Sequence, residues 1–200
     1  MPEQVAGSTP DPIARFIEAR TRFIAAGQLR ESTAMVLATA DARGRPSARV
    51  VLLRDVGPRG FVFFTNYESR KAAELDANPH AALCFHWDAQ DEQVRVEGTV
   101  ERTSRAESEQ YFARRPRASQ VGAWASRQSR PLAVRDELLA EVARVEARYE
   151  GQDVPCPPYW GGYRLVPMAI EFWSARDARL HERERYVRAD GGWRVGRLQP

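Results

Sequence analysis

Two short apolar runs, separated by turn-forming residues, are the strongest feature of the hydrophobic pattern. Residues 50–53 read VVLL and residues 61–64 read FVFF. Unbroken apolar runs of this length are typical of strands that are buried on both faces. The linking sequence DVGPRG is rich in turn formers. The pattern therefore predicts two buried strands that are hairpin partners.

Helical and strand periodicities alternate along the rest of the chain. Residues 94–101 alternate Val or Gly with polar residues, which predicts a strand with one buried and one wet face. About eight strands with three or four helices predict a mainly β protein, a closed or nearly closed antiparallel barrel with flanking helices. The other predicted strands are 34–40, 80–87, 92–103, 163–173, 183–188 and 193–198, and the predicted helices begin at Pro12, Ser69, Arg105 and Pro131.

Length and composition are those of one ordinary globular domain. The chain has 200 residues, of which 43% are hydrophobic and 28% charged. We predict a mobile N-terminal arm at residues 1–10 and a single domain at 11–200. The basic residues are spread along the whole length, so nucleic acid is not an expected partner. No targeting segment or run of 18 apolar residues occurs, which predicts a cytoplasmic protein with no membrane contact.

Cysteine and histidine are too few for a structural metal site. The chain has two Cys and three His, and none form a pair at ligand spacing. Two Cys also imply no disulfide framework. We therefore predict no metal and no structural disulfide.

Arg70 and Lys71 fall in the first turn of the helix that Ser69 is expected to cap. Positive side chains there oppose the helix dipole unless an anion is bound between them. Of the 30 basic residues, Lys71 is the only lysine. A compact ammonium in a chain that otherwise uses Arg favours a point-charge contact. The sequence thus predicts a phosphate site, and two solvated surface cations are the alternative.

The usual catalytic motifs are missing from the sequence. It contains no G-x-G-x-x-G after a strand, no G-x-x-x-x-G-K, no G-x-S-x-G and no acidic dyad with a supporting His. Phosphate-binding residues without a nucleophile indicate that a cofactor carries the chemistry. The cluster WSARDARLHER at 173–183 fits this hypothesis, although Trp173 could be core packing and His181 a surface residue.

A series of motifs follows in order along the chain: RVVLLR, FFTN, SRK, Gln93, YFARRPRASQVGAW, RQS, YWGGYR, EFW and RLHER. In this order, over about four fifths of the chain, they resemble the pyridoxine (pyridoxamine) 5'-phosphate oxidases. The resemblance implies an FMN-binding split β-barrel of antiparallel Greek-key type and a homodimer with FMN at the subunit interface. It implies oxidation of pyridoxine or pyridoxamine 5'-phosphate to pyridoxal 5'-phosphate by O2, giving H2O2.

The resemblance also implies roles for individual residues. It makes Arg179 and His181 catalytic residues that contact the pyridine end of the substrate. Because a guanidinium stays protonated, Arg179 is assigned to orienting and polarising the substrate. The implied substrate-phosphate contacts are Arg54, Tyr111, Arg115 and Ser119. The implied FMN contacts are Arg49, Val50, Val51, Leu52, Leu53, Phe64, Thr65, Arg70, Lys71, Gln93, Gln128, Ser129, Trp173 and Arg183.

The sequence departs from the family pattern at four places. Arg54 stands where Lys is usual, Phe64 where Tyr is common, and Glu182 where Asp is common. The arm before Asp11 is short and lacks the family's basic, Tyr-containing segment, which predicts a more open substrate site.

Three other functions compete with this one. A flavin oxidase of the phenazine-biosynthesis type shares the RLHER-like segment but generally lacks the set of Tyr111, Arg115 and Ser119. A non-catalytic flavin or pyridoxal-phosphate binding protein would have no use for Arg179 and His181. A basic barrel that binds RNA is disfavoured because exposed aromatic residues are not clustered in the sequence.

Overall fold

The computed structural model describes residues 11–27 and 31–200, so the arm predicted at residues 1–10 lies outside the described residues. The helices are α1 Pro12–Ala25, α2 Arg70–Ala77, α3 Arg105–Ala113, α4 Arg117–Ala125 and α5 Arg135–Arg148, with short 3₁₀ turns at Asp88–Gln90 and Asp177–Arg179. The strands are β1 Ala34–Ala40, β2 Pro46–Leu52, β3 Asp55–Gly57, β4 Gly60–Asn66, β5 His80–Trp87, β6 Glu92–Arg102, β7 Trp160–Ser174, β8 Glu182–Ala189 and β9 Gly192–Arg197.

All strand pairs of the sheet are antiparallel, in the order β2-β1-β5-β6-β7-β4-β3. Strand β7 is long enough to pair β4 along its first half and β8 along its second half. Strands β5, β6 and β7 are consecutive neighbours, and β4 lies beside β7, which is a Greek-key arrangement. The predicted mainly β, split-barrel fold is confirmed.

The two ends of the strand order meet at a two-residue kink. Strand β2 is the first in the order and β3 the last, and only Leu53 and Arg54 separate them in the chain. The N–H of Leu53 donates to Thr33 O at 2.8 Å, and the N–H of Arg54 donates to Val62 O at 2.8 Å. One kinked segment therefore pairs β1 on one side and β4 on the other, which curls the sheet into the split barrel.

The predicted hairpin between 50–53 and 61–64 is wrong. Strand β2 pairs β1, and the hairpin partner of β4 is the short strand β3. The kink at Leu53 and Arg54 moves the chain from one partner to the other, which the apolar pattern does not encode. Strand β4 is buried on both faces as predicted, whereas β2 is open on one face and Val50 is 65% exposed.

The predicted helices are found, with one addition and one shifted start. In α1, Asp11 caps the first turn by accepting from the N–H of Ile13 at 3.0 Å. The helix expected from Pro131 begins instead at Arg135. The segment after Pro116, for which no helix was predicted, is the additional helix α4.

The buried residues form two clusters. The larger fills the barrel beneath α1 and includes Phe16, Phe61, Phe63, Leu83 and Phe85. The smaller lies among α3, α4 and α5, where Phe112, Val121 and Val145 pack against Trp160 at the start of β7. Because Trp160 belongs to the sheet, this second cluster fixes the helices against the barrel wall and creates a cleft between them.

Candidate functional site

A cleft of about 550 Å³ lies between the kinked β2 segment, the end of β4 and helices α3 and α4. Among the described residues, four cationic side chains and no carboxylate line it: Arg49, Arg54, Lys71 and Arg115. Like charges gathered in a cleft raise each other's energy, and a bound anion relieves that cost. The composition of the walls therefore indicates a site for an anionic ligand.

Lys71 lies at one end of the cleft among neutral acceptors. Its Nζ donates to Gln128 Oε1 at 2.6 Å, to Thr65 Oγ1 at 3.0 Å and to Ser69 Oγ at 3.3 Å. Burial, and then the charge of Arg49, lower the pKa of Lys71 to about 8. An ammonium held this way loses its proton as the pH rises through about 8, unless a bound anion stabilises it.

Arg49 lies beside Lys71, where a buried carboxylate holds it. Its Nη1 donates to Thr39 Oγ1 at 2.6 Å and to Leu37 O at 3.1 Å. Its Nη2 donates to Glu74 Oε2 at 3.0 Å. Glu74 also pairs with Arg70, at 2.8 Å from Arg70 Nε. The carboxylate thus supports the cationic wall from behind, and it does not itself line the cleft.

Arg115 lies at the other end of the cleft with an unsatisfied donor. Its Nη1 is buried and has no hydrogen-bond partner within the described ranges. Burial lowers the pKa of Arg115, and the nearby charge of Arg54 lowers it further. An unpaired buried guanidinium nitrogen is costly, and a phosphate oxygen is its natural acceptor. The hydroxyl groups of Tyr111 and Ser119 line the same cleft.

An aromatic platform forms the floor between the two ends. The rings of Phe64 and Tyr111 are stacked with centroids 4.1 Å apart, and Phe64 and Trp160 are stacked at 5.4 Å. The guanidinium carbon of Arg115 lies 4.7 Å from the centroid of the Trp160 ring, which fixes it by a cation–π contact. Gly162 permits this packing, because a Cβ there would lie 2.8 Å from Phe64 Cε1.

Most of the predicted site residues lie in this single cleft. The sequence motifs that carry them are far apart in the chain, and the barrel and helices α3 and α4 bring them together. The predicted residues that line the cleft are Arg49, Val50, Val51, Leu52, Arg54, Phe64, Thr65, Lys71, Tyr111, Arg115, Ser119 and Gln128.

Three of the predicted cofactor residues lie near the cleft without lining it. Leu53 is 2% exposed and packs in the barrel core. Arg70 points away toward solvent, 69% exposed, in its ion pair with Glu74. Ser129 has a left-handed backbone with φ of 72° and lines a neighbouring groove beside α5. Their roles toward a cofactor stay predictions.

Another group of predicted residues forms a row across the second half of the sheet. Gln93 on β6 is in register with Trp173 on β7, which is in register with Arg183 on β8. Arg183 Nε donates to Glu171 Oε1 at 2.8 Å, so a buried carboxylate fixes this guanidinium too. Hydrogen bonds from Arg183 and Arg95 outweigh the effect of burial and lower the pKa of Glu171.

Arg179 and His181 lie in the turn next to this row. His181 packs against Trp173, with ring centroids 4.6 Å apart and the ring planes tilted by 45°. Its Nδ1 accepts from the N–H of Arg176 at 3.2 Å, so the neutral ring carries its proton on Nε2. Ala178 and Arg179 have φ of 53° and 61°. Two consecutive left-handed residues that are not glycine are unfavourable, and such strain is concentrated at functional sites.

Several residues of the site were not predicted from the sequence. Trp160 was part of a quoted motif but was given no role, although it carries the aromatic platform. Glu74 lies four residues after Arg70, and this i, i+4 spacing is the signal that could have revealed the pair. The other cleft residues without a predicted role are Asn66, Gly122, Ala123 and Ser126.

Neither a cluster of metal-binding side chains nor a membrane-spanning helix is found among the described residues. The described residues contain no group of three or more His, Cys, Asp or Glu placed to hold a metal ion. None of the helices in the same ranges has the length and apolar character needed to cross a membrane. The cytoplasmic location stays a prediction.

The fold and the cleft define a split-barrel protein with a cationic cleft suited to an anionic ligand. A family model described as pyridoxamine 5'-phosphate oxidase matches residues 24–149. A second, described as the pyridoxine 5'-phosphate oxidase C-terminal dimerisation region, matches residues 160–200. The chain belongs to the pyridoxine/pyridoxamine 5'-phosphate oxidase family, which is a family of oxidoreductases.

Curated relatives match nearly end to end. A protein of Anaeromyxobacter dehalogenans is 58% identical, covering 96% of this chain and 97% of its own length. One from Myxococcus xanthus is 59% identical over 96% of this chain and 92% of its own. Both are named pyridoxine/pyridoxamine 5'-phosphate oxidase.

Solved structures show the same fold. PhzG from Burkholderia lata, in complex with tetrahydrophenazine-1-carboxylic acid, is 33% identical with a TM-score of 0.89, covering 96% of this chain and 94% of its own. An FMN-binding protein of Nostoc punctiforme, related to pyridoxamine 5'-phosphate oxidases, has a TM-score of 0.74 at 17% identity, covering 96% of this chain and 100% of its own. The second likeness bears on the fold alone.

Proposed function

We propose that this protein is an FMN-dependent oxidase that converts pyridoxine 5'-phosphate and pyridoxamine 5'-phosphate to pyridoxal 5'-phosphate, with O2 as the electron acceptor and H2O2 as the second product. The observation that carries the proposal is the cationic cleft with a phosphate-binding group at each end. Lys71 lies among neutral acceptors at one end, and Arg115 has an unpaired guanidinium nitrogen, within the described ranges, at the other. The names of the curated relatives support the same reaction.

The Lys71 end fits the phosphate of FMN. Lys71 and Arg49 supply two charges, and Thr65 and Gln128 supply polar groups within reach of the same ammonium. Charge-assisted hydrogen bonds to phosphate are about twice as strong as neutral ones, and no carboxylate of the described residues lines the cleft. These residues would hold the cofactor by its phosphate.

The Arg115 end fits the phosphate of the substrate. Arg115 and Arg54 supply cations, and Tyr111 and Ser119 supply hydroxyl donors. The platform of Phe64, Tyr111 and Trp160 is apolar and orients Arg115 by stacking. Two separate phosphate sites in one cleft are what a flavin mononucleotide and a phosphorylated vitamer together require.

The chain's own residues then bind, orient and polarise the substrate. When bound, FMN supplies the two-electron acceptor and passes the electrons on to O2. Holding the reacting groups within contact distance accounts for much of the rate of such a reaction. The Nε2–H of His181 can donate to the substrate, and Arg179 can polarise the group that is oxidised.

A homodimer completes the site in this proposal. The cleft residues Phe64 and Thr65 on β4 pair with the start of β7, at Gly162 and Gly161. Trp173, in the middle of the row, lies eleven residues beyond Gly162 on the same strand, which at about 3.3 Å per residue is about 36 Å. One FMN touching both groups within one chain is therefore disfavoured, and a partner subunit would supply the row. The match of residues 160–200 to a dimerisation region supports this arrangement.

A second candidate is a flavin oxidase that acts on a phenazine precursor. It is favoured by the 33% identity and TM-score of 0.89 to PhzG. The anionic group of such a substrate is a carboxylate, which needs neither a second phosphate site nor the hydroxyl groups of Tyr111 and Ser119. We infer that the phosphorylated vitamer fits the cleft better.

Lys71→Ala is expected to weaken FMN binding about 10- to 100-fold, since it removes a charge-assisted hydrogen bond worth about 1.5–3 kcal/mol. Because the pKa of Lys71 is about 8, the wild-type affinity should fall as the pH rises through that value. Arg70→Ala, which acts on a side chain paired with Glu74, is expected to cost less. Titrating apoprotein with FMN at several pH values, followed by flavin fluorescence, measures the Kd of the wild type and of each variant. Equal losses in the two variants would place Arg70 on the phosphate as well.

The proposed reaction is tested by adding substrate without oxygen. Purified protein should be yellow, and pyridoxine 5'-phosphate should bleach it under anaerobic conditions, with the colour returning on admission of air.

The substrate is tested by comparing kcat/KM for pyridoxine 5'-phosphate, pyridoxamine 5'-phosphate and pyridoxine. The values for the two esters should be much higher. No preference for the esters would refute the substrate and favour the phenazine-type reaction, and a colourless protein that binds no FMN would refute the cofactor.

A further inference from the structure

Glu74 is a buried carboxylate directly behind the cationic end of the cleft. Its side chain is 5% exposed and does not line the cleft. Its Oε2 accepts from Thr39 Oγ1 at 2.5 Å, Ser47 Oγ at 2.6 Å and Arg49 Nη2 at 3.0 Å. Its Oε1 accepts from Arg70 Nε at 2.8 Å. The Glu74 carboxylate on α2 thus accepts hydrogen bonds from side chains of β1 and β2 and from Arg70 of its own helix.

These hydrogen bonds keep Glu74 charged. Burial alone would raise its pKa, but the donors from Ser47, Thr39, Arg70 and Arg49 outweigh it and lower the pKa of Glu74 to about 2. A full negative charge is therefore present behind the cleft throughout the neutral range.

The first consequence concerns the position of Arg49. Both terminal nitrogens of its guanidinium are bound, Nη1 to Thr39 and Leu37 and Nη2 to Glu74 and Ser47. The side chain is only 21% exposed. Glu74 supplies the single opposite charge in this set, so without it Arg49 would be a partly buried cation held only by neutral acceptors.

The second consequence concerns the charge of Lys71. Burial and the charge of Arg49 favour the neutral amine, whereas the charge of Glu74 favours the ammonium. Removing the carboxylate leaves only the two effects that favour loss of the proton. A neutral amine is a much weaker ligand for phosphate than an ammonium.

We propose that Glu74 is a positioning residue of the cleft, which fixes the guanidinium of Arg49 and keeps the ammonium of Lys71 charged, so that binding of a phosphate ester depends on a carboxylate that does not touch it. The inference rests on the proposed function, in which the phosphate of FMN occupies this end. The alternative is that the negative charge of Glu74 simply repels the phosphate and weakens its binding. Repulsion predicts tighter FMN binding in Glu74→Gln at every pH, and positioning predicts weaker binding above neutral pH.

The charge of Lys71 can be measured directly, because it is the only lysine of the chain. Protein labelled with ¹³C-lysine gives one lysine spin system, whose ε-methylene signal reports the protonation of Nζ without flavin or turnover. We expect the pKa of Lys71 in apoprotein to fall by about one unit in Glu74→Gln. The matched control is Asp76→Asn, which removes another α2 carboxylate that pairs with Arg102 at 2.9 Å. It should leave the Lys71 titration unchanged.

Flavin binding supplies the second measurement. At pH 8.5 the Kd for FMN of Glu74→Gln should be about tenfold above wild type. At pH 6 Lys71 is charged in both proteins and the amide oxygen of Gln can still accept from Arg49, so the two Kd values should agree within about threefold. Glu74→Asp keeps the charge but shortens the reach to Arg49. It should restore the Lys71 titration while leaving FMN binding weaker at both pH values.

An unchanged Lys71 titration in Glu74→Gln overturns the inference, as does tighter FMN binding at both pH values. Glu74→Gln could instead have a lower Tm together with the wild-type Lys71 titration and the wild-type pH dependence of FMN binding. The role of Glu74 would then be structural only, and the inference would fail. If wild-type protein binds no FMN at all, the proposed function fails, whereas the Lys71 titration still decides the role of Glu74.

Discussion

Arg115→Ala is expected to lower kcat/KM for pyridoxine 5'-phosphate by about 10²- to 10³-fold. The substitution removes a fixed guanidinium that can make two charge-assisted hydrogen bonds to the substrate phosphate, together worth about 3–4 kcal/mol. Unphosphorylated pyridoxine never makes these contacts, so its kcat/KM should change little. The preference for phosphate esters should therefore collapse.

Stability should not follow activity in this variant. The Nη1 of Arg115 is buried without a partner in the described part of the chain, and burial lowers the pKa of the side chain. Its charge is therefore a cost to the free protein, and removing it should leave the Tm unchanged or slightly higher. A steep loss of activity with an undiminished Tm is characteristic of a residue kept for its ligand.

The matched control is Arg114→Ala, which removes the neighbouring, exposed Arg that does not line the cleft. Steady-state kinetics with both substrates, and thermal unfolding of the three proteins, measure the effect. If Arg115→Ala reduced turnover of phosphorylated and unphosphorylated substrates equally, its role would be to support the fold of the cleft, and the substrate phosphate would have to bind elsewhere.

The strands of the barrel were predictable, but their pairing was not. Apolar runs and alternation locate β4, β5 and β6 almost to the residue because side-chain burial imposes those patterns directly. The hairpin partner of β4 was predicted wrongly because Leu53 and Arg54 pass the chain from one neighbour to another. That kink depends on hydrogen bonds to Thr33 and Val62, which are remote in sequence or on another strand.

The site was predictable where one residue carries an unusual chemistry. Lys71 stands out as the only lysine and as a cation in the first turn of a helix. Tyr111 and Arg115 came from the family resemblance, and the structure brings them into the same cleft. Glu74 was missed because its significance arises only when Thr39 and Arg49, from two strands, meet α2. Such a meeting is tertiary, and the i, i+4 spacing of Arg70 and Glu74 reveals only the contact within α2.

The variants His181→Ala and Arg179→Gly are expected to reduce kcat by about 10²-fold with FMN binding little changed. His181 presents its Nε2–H because Nδ1 accepts from the N–H of Arg176, and a donor that strengthens its bond in the transition state contributes to kcat rather than to KM. Arg179 is exposed and lies on a left-handed backbone with φ of 61°. Glycine suits that conformation, so Arg179→Gly removes the side chain without adding strain.

These variants separate catalysis from cofactor binding, since Trp173 and Arg183, which the family resemblance assigns to FMN, remain intact. His80→Ala and Arg194→Ala are the matched controls, because both remove an exposed side chain of the same kind outside the proposed site. Flavin titration should give Kd values within about threefold of wild type, and the rate of anaerobic flavin reduction by pyridoxine 5'-phosphate should fall with kcat. If both variants reduced the flavin at the wild-type rate, the reacting end of the substrate would have to bind away from the turn at residues 177–181. A loss of FMN would instead show that the turn supports the cofactor, because the main role of the His181 ring would then be to hold Trp173 in place.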